Sequence, residues 1–196
     1  MTRVVGVFGG SFDPPHAGHV MLAAYALSVA PIDSLLVVPT FQHPFGKDLA
    51  AYDHRVTMCE RAFRVLAGAS VSRIEEEIGG DSYTVRTLEE LARRMPDAKF
   101  RLVVGADVLK DTSRWRSFDR VRELAPPFIV GRLGEAREGG TDRVMAGAPD
   151  LPAISSTTAR DGYGTGRDVA LLVPREVDAY VRAHRLYGAD RTPEGE

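Results

Sequence analysis

The segment Gly9-Gly10-Ser11-Phe12-Asp13-Pro14-Pro15-His16-Ala17-Gly18-His19 constrains this chain more than any other. It follows a short β-rich apolar run at residues 4–8 and opens a helical pattern at residues 18–30. Glycines after a strand let backbone amides approach a ligand closely. The free amides and positive dipole end of the following helix then favour an anion such as phosphate. His16 and His19 are three apart, so a helix starting near His16 puts both on one face at its first turn. Two imidazoles beside exposed amides can donate to phosphate oxygens. The same spacing also suits a plain turn with two surface histidines, or a metal pair, although no nearby Cys or Glu completes the ligands a metal needs.

The rhythm set by this segment continues. Residues 34–38, 70–74, 100–104 and 128–130 read as further strands, and residues 53–67, 84–95 and roughly 114–124 as helices. Strands alternating with helices predict an α/β, Rossmann-like, doubly wound sheet of four or five parallel strands. Residues 131–152, with several Gly and Pro, read as a mobile connection. Residues 174–184, opened by a proline and Glu176, read as a last helix. The expected organisation is a single domain over residues 1–187 with a small C-terminal helical portion. Residues 188–196 are expected to fray.

Composition narrows the partners. With 196 residues and 44% hydrophobic content the chain can bury one substantial core. Its 25 basic and 27 acidic residues leave a formal charge of −2, which gives no broad footprint for nucleic acid or an anionic membrane. Any anion must therefore be met locally. The single Cys59 excludes an internal disulfide and a cysteine metal cluster, and predicts a reducing, cytoplasmic setting. No stretch approaches the roughly 20 apolar residues of a membrane helix.

In doubly wound sheets ligands bind beyond the carboxyl ends of the strands. The segments there are residues 9–19, 39–47, 105–107 and those around Ile154. In Ile154-Ser155-Ser156-Thr157-Thr158-Ala159-Arg160, hydroxyls precede a helical pattern and an arginine follows one turn on. Such a run serves as a simple N-cap. Paired with the first motif, it also makes a second helix N-terminus whose Arg160 can clamp distal phosphates bidentately.

These two segments resemble the signatures of the HIGH-type nucleotidylyltransferase superfamily. Three further stretches are similar to the bacterial nicotinate-nucleotide adenylyltransferases within it. They are Ser82-Tyr83-Thr84-Val85-Arg86-Thr87-Leu88, Gly105-Ala106-Asp107 followed by Trp115, and Val173-Pro174-Arg175-Glu176-Val177 through Tyr180 to His184-Arg185-Leu186-Tyr187. The resemblance spans nearly the whole chain. It implies Mg2+ carried mainly on ATP phosphates, with ATP and nicotinate mononucleotide as substrates. A homo-oligomer stays open.

By that resemblance Gly9, Gly10, Ser11, Phe12, Gly18, Ile154 and Ser155 surround ATP, and His16 and His19 stabilise its transferring α-phosphoryl. Ser156, Thr157 and Arg160 would hold the β and γ groups, and Gly105 and Asp107 would lie against adenosine. Tyr83, Thr84, Thr87 and Trp115 would form the nicotinate pocket. An indole face suits an electron-poor pyridinium ring in any case. The turn Pro39-Thr40-Phe41-Gln42-His43-Pro44-Phe45-Gly46-Lys47 departs from the family's Pro-Pro-His-Lys, with Lys47 as its expected cation. Gly131-Arg132-Leu133-Gly134 departs from its Ala-Arg-Pro-Gly.

Other residues read as structural. Asp13 is expected to order its own turn through an Asx-type bond. His43 and His54 are expected at a solvated or core-edge position, and the Glu75-Glu76-Glu77 run in solvent. Two rival readings remain: the same chemistry on nicotinamide mononucleotide, phosphopantetheine or a sugar or polyol phosphate, or a nucleotide-binding regulator without turnover.

Overall fold

The computed structural model describes residues 2–44, 46–107, 115–135, 138–139, 142–144 and 148–189. Its strands are β1 (Val4–Gly10), β2 (Ser34–Pro39), β3 (Ala69–Val71), β4 (Lys99–Gly105), β5 (Pro127–Arg132), β6 (Glu138–Gly139), β7 (Asp142–Arg143) and β8 (Asp150–Leu151). Its helices are α1 (Ala17–Val29), α2 (Tyr52–Phe63), α3 (Ile74–Ile78), α4 (Thr84–Arg94), α5 (Phe118–Leu124), α6 (Ser156–Thr165) and α7 (Arg175–Ala183), with a last 3₁₀ turn at Leu186–Gly188. Six strands form one parallel sheet in the order β3-β2-β1-β4-β5-β8, while β6 and β7 pair as a small antiparallel ribbon.

The sheet carries one strand more than expected, because β8 pairs only two residues with β5 and leaves no apolar run to read. The third strand stops at Val71 rather than residue 74, since Ile74 already begins α3. The fifth helix begins at Phe118, and residues 108–114 lie outside the described residues, as do Phe45 and residues 190–196 of the expected tail. Within the connection at residues 131–152 the described residues include β6, β7 and β8.

Strand alternation explains the layers. Val5 and Val7 of β1 face one side and Phe8 the other, and β4 divides likewise between Leu102 and Val103. On one face α1, α2, α6 and α7 bring Leu22, Ala26, Met58, Phe63, Ala159 and Val181 onto the sheet. On the opposite face α3, α4 and α5 bring Ile74, Leu88, Leu91 and Val121. Each fully buried Val, Leu, Ile, Met or Phe among them contributes about 1.5–3 kcal/mol. Gly6 is fixed by this packing, since a Cβ there would sit 2.8 Å from methyls of Ile32 and Leu35. No helix among the described residues is long and apolar enough to cross a membrane.

The order matters for function because β1 pairs with both β2 and β4, so the winding reverses between β1 and β4. The crevice at that reversal opens between Gly10 and Gly105, the ends of the two strands, where ligands bind in folds of this class.

Candidate active site

A cleft of about 730 Å³ lies at this reversal, a volume suited to a small-molecule ligand. Its wall draws on the ends of four strands and the starts of two helices. Gly9, Gly10, Ser11, Phe12, His16, Gly18 and His19 line it, as do Lys47, Gly105, Asp107, Trp115, Ile154, Ser155, Ser156, Thr157 and Arg160. Segments 9–19 and 154–160, separated by more than a hundred residues, therefore converge on one space.

Local chemistry explains how the α1 end is built. Phe12 sits at φ 49, a left-handed conformation that costs an L residue roughly 1–2 kcal/mol. Burial of its ring, packed edge-on to Phe8, Phe63 and His19 at 5.3, 5.9 and 4.9 Å, offsets that cost. His16 occupies the N-cap of α1, and its ring stacks on His19 with centroids 3.6 Å apart. The backbone N–H of His16 donates to Nδ1 of His19 at 3.1 Å. A neutral His19 must then carry its proton on Nε2, which makes that atom a donor. Burial, aided by Arg132, holds the His16 pKa down at about 4, and burial, then His16 and Arg132, lowers that of His19. Both rings are thus neutral near pH 7. Gly18 leaves room for this stack, since a Cβ there would lie 3.1 Å from His16 Nδ1.

The orphan amides are fewer than the motif suggested. The Ala17 N–H donates to the Leu172 carbonyl, leaving that of Gly18 in the first turn of α1 without an intrahelical acceptor. At α6, Ser155 is the N-cap, and its hydroxyl accepts the Thr158 N–H at 3.1 Å. The Ser156 hydroxyl donates to the Pro14 carbonyl at 2.9 Å. The Ser156 proton is therefore spent on the fold, whereas Ser155, an acceptor here, keeps its own for the Thr158 hydroxyl at 2.8 Å or for the cleft. What α6 offers the cleft is the N–H groups of Ser156 and Thr157 and its dipole.

Arg160 donates from Nη1 to the Asp13 carbonyl at 2.6 Å and from Nη2 to Thr157 Oγ1 at 3.4 Å. One edge of its guanidinium is anchored beside the cleft. Asp13, 2% exposed, accepts the Ala50 N–H at 3.1 Å and the Tyr187 hydroxyl at 2.6 Å through Oδ1. Its role is structural as expected, but the bonds reach far along the chain instead of closing an Asx turn.

The residues expected on the acceptor side divide between two places. Trp115 lines the cleft, its ring edge-on to Phe118 at 5.6 Å, and Lys47 lines it from the β2–α2 loop. Tyr83, Thr84 and Thr87 do not line it. Tyr83 is the N-cap of α4 and helps line a separate open depression of about 500 Å³, under the guanidinium of Arg116. Thr87 is 3% exposed and donates to Glu75 Oε1 at 2.9 Å, so its hydroxyl is committed to the fold. Glu75, expected in solvent, is 8% exposed because its other oxygen accepts the Phe41 N–H. Glu76 and Glu77 do lie outward, paired with Arg73 and Arg94. His54 takes its core-edge place, bonded to the Tyr180 hydroxyl at 2.9 Å, and burial, with Lys47 and Arg55, lowers the His43 pKa.

Sequence reasoning missed Arg132 as a site residue. It lines the cleft from the end of β5, donates to the Ile154 carbonyl and stands 3.5 Å from the Asp107 carboxylate. Its position two residues after the predicted fifth strand was the available signal.

The family model described as cytidylyltransferase-like matches residues 7–162, from the middle of β1 into α6. The chain belongs to the cytidylyltransferase-like family. Within it, the chain is 46% identical to a protein of Anaeromyxobacter dehalogenans (strain 2CP-C) over 94% of this chain and 97% of that one. It is 38% identical to one of Myxococcus xanthus, over 96% and 97%. Both relatives bear the name "Probable nicotinate-nucleotide adenylyltransferase". Among solved structures, the Plasmodium falciparum nicotinic acid mononucleotide adenylyltransferase complexed with NaAD superimposes with a TM-score of 0.79 at 18% identity. It covers 96% of this chain and 98% of that one, and at that identity the likeness is one of fold.

Proposed function

We propose that this chain transfers the adenylyl group of ATP to nicotinate mononucleotide, giving nicotinate adenine dinucleotide and pyrophosphate, a step of NAD biosynthesis. The observation that carries the reading is the convergence of two helix N-termini, α1 and α6, on one cleft that also holds Lys47, Arg132 and Arg160. Two dipole ends and three cations suit a triphosphate. Relatives at 46% and 38% identity bearing an adenylyltransferase name support the acceptor.

Transfer of this kind asks for positioning and charge stabilisation, and for no nucleophilic side chain. A phosphate oxygen of the acceptor attacks the α-phosphorus of ATP in line. A new P–O bond forms while the bond from α-phosphorus to the bridging oxygen breaks, and pyrophosphate leaves with that electron pair. His19 donates from Nε2 and His16 stands beside it at the α-phosphoryl, with the Gly18 N–H. Lys47, Arg160 and the amides of Ser156 and Thr157 receive the departing pyrophosphate. Gly9, Gly10 and Ser11 form the floor. Asp107, linked to Arg132, and Gly105 border the adenosine, and Trp115 stacks on the pyridine ring. Tyr83 and Thr84 would reach that ring only from outside the cleft wall.

The residues fit Mg2+ as a companion of the triphosphate. No group of three metal-ligating side chains occurs among the described residues, and Asp13 is already bonded to Ala50 and Tyr187. Asp48 and Asp107 are the carboxylates of the wall that would stand beside a magnesium ion carried by ATP, which would supply neutralisation of developing charge. Buried, free Cys59 fits a reducing cytoplasm.

The test is pyrophosphate release from ATP with nicotinate mononucleotide, nicotinamide mononucleotide, phosphopantetheine and a polyol phosphate in parallel. Release led by nicotinate mononucleotide is expected. Preference for another acceptor would overturn the substrate, and none with any acceptor despite ATP binding would make the chain a regulator.

A further inference from the structure

Arg55, in the first turn of α2, is 2% exposed yet makes no ion pair with any described carboxylate. Burial lowers its pKa, with the Asp13 carboxylate opposing. A buried charge is costly unless its hydrogen bonds are met, and here four backbone carbonyls meet them. Nε donates to Ala50 at 2.9 Å, Nη1 to Ser11 at 2.9 Å and Thr40 at 2.7 Å, and Nη2 to Phe41 at 3.4 Å.

The identity of those carbonyls gives the arrangement its meaning. Thr40 and Phe41 begin the β2–α2 loop, and Ala50 lies beside the α2 N-cap Ala51 at its other end. One planar guanidinium therefore pins both stems of a loop whose interior carries Lys47 to the cleft wall. Through Ser11 the same group reaches the turn after β1. We propose that Arg55 is a positioning residue that clasps the Lys47 loop and sets it against the phosphate turn, so that it governs acceptor binding and alignment. Only arginine presents enough donors in a fixed fork for this, since the three donors of a lysine radiate from one point. The inference rests on the adenylyltransferase reading for its kinetic form, though the clasp itself does not.

The turn after β1 has holds independent of that loop, because the Asp13 carboxylate accepts the Tyr187 hydroxyl and the Asp13 carbonyl accepts Arg160. Loss of the clasp should therefore loosen the Lys47 loop far more than the ATP side. The experiment compares Arg55→Lys and Arg55→Met with Met58→Ala, a fully buried apolar core residue on the same helix. Steady-state pyrophosphate release is measured with each substrate varied, and amide hydrogen exchange is followed over residues 40–50. For Arg55→Met the acceptor KM is expected to rise about tenfold or more while the ATP KM stays within about threefold, with Arg55→Lys in between. Exchange over the loop should quicken in both Arg55 variants. Met58→Ala should lower the melting temperature without splitting the two KM values. The clasp is overturned if Arg55→Lys leaves loop exchange and acceptor KM at wild-type values, or if both KM values rise together as stability falls. Should Arg55→Met not fold, Arg55→Lys still decides. If the wild type fails to use nicotinate mononucleotide, the acceptor assignment falls while loop exchange still tests the clasp.

Discussion

Neutral, buried histidines at a phosphate site make stability depend on pH in a defined direction, and His16 is the residue on which to measure it. Unfolded, its imidazole titrates near the ordinary 6.5, whereas in the fold burial, assisted by Arg132, holds it at about 4. Between those values the unfolded chain takes up a proton that the folded chain refuses, so acid favours unfolding. Stability is flat above 6.5, falls as the pH drops from 6.5 to 4, and levels off for this group below that. At about 1.4 kcal/mol per tenfold, lowering the pH from 7.5 to 4.5 costs about 2.5 kcal/mol from His16 alone. Carboxylates and His19 add their own slopes, so the quantity to read is a difference. Urea unfolding of wild type and His16→Asn at pH 7.5, 6.5, 5.5 and 4.5 supplies it. The variant should lose less stability over that range by about 2 kcal/mol while keeping the part due to His19. Parallel curves would refute the claim that the ring is held neutral, and with it the view that His16 and His19 meet phosphate as N–H donors in the empty protein. A triphosphate favours the charged ring, so binding near pH 6 should take up protons, visible as a buffer-dependent heat.

Three other perturbations separate the parts of the site. Tyr187→Phe removes the 2.6 Å bond to the buried Asp13 carboxylate and should cost about 1–3 kcal/mol, read by chemical denaturation. Gly18→Ala should raise helix propensity by up to about 1 kcal/mol, yet its Cβ would crowd the His16 ring at 3.1 Å, so turnover should fall while the melting temperature holds or rises. Arg160→Lys cannot keep both its bond to the Asp13 carbonyl and a second donor toward phosphate, and the ATP KM should rise about tenfold with the acceptor KM little changed. An acceptor KM that rose as much as that for ATP would place Arg160 on the wrong side of the cleft.

What could be read from the chain, and what could not, divides along sequence distance. Strands such as Val4–Gly10 and helices such as Thr84–Arg94 are legible because burial imposes their periodicity locally. Both phosphate segments were legible because glycines, histidines and a Ser/Thr cap act within a few residues of one another. Glu75 was misread for the opposite reason: its partners are the Phe41 N–H, 34 residues back, and Thr87, 12 residues on. No local pattern distinguishes it from Glu76 and Glu77. Thr87 likewise carried a family role in the motif but is turned toward Glu75 and buried. Arg55 sits in an amphipathic helix where a surface charge is the ordinary reading, and only the folded loops show its four acceptors.

The same distances explain why the site holds together as a unit. The turn after β1 accepts hydrogen bonds from four directions: the Asp13 carboxylate takes the Ala50 N–H and the Tyr187 hydroxyl, the Asp13 carbonyl takes Arg160, and the Ser11 carbonyl takes Arg55. These contacts come from the Lys47 loop, the C-terminal turn, α6 and α2, four parts of the chain that share no local sequence. The orientation of the phosphate turn is therefore set by the rest of the fold, and the left-handed Phe12 within it is tolerated because so many partners fix its neighbours. Groups that share a partner couple energetically, so substitutions at Arg55, Arg160 and Tyr187 act on one element. The kinetic side on which each appears, acceptor or ATP, depends on which loop its removal sets free.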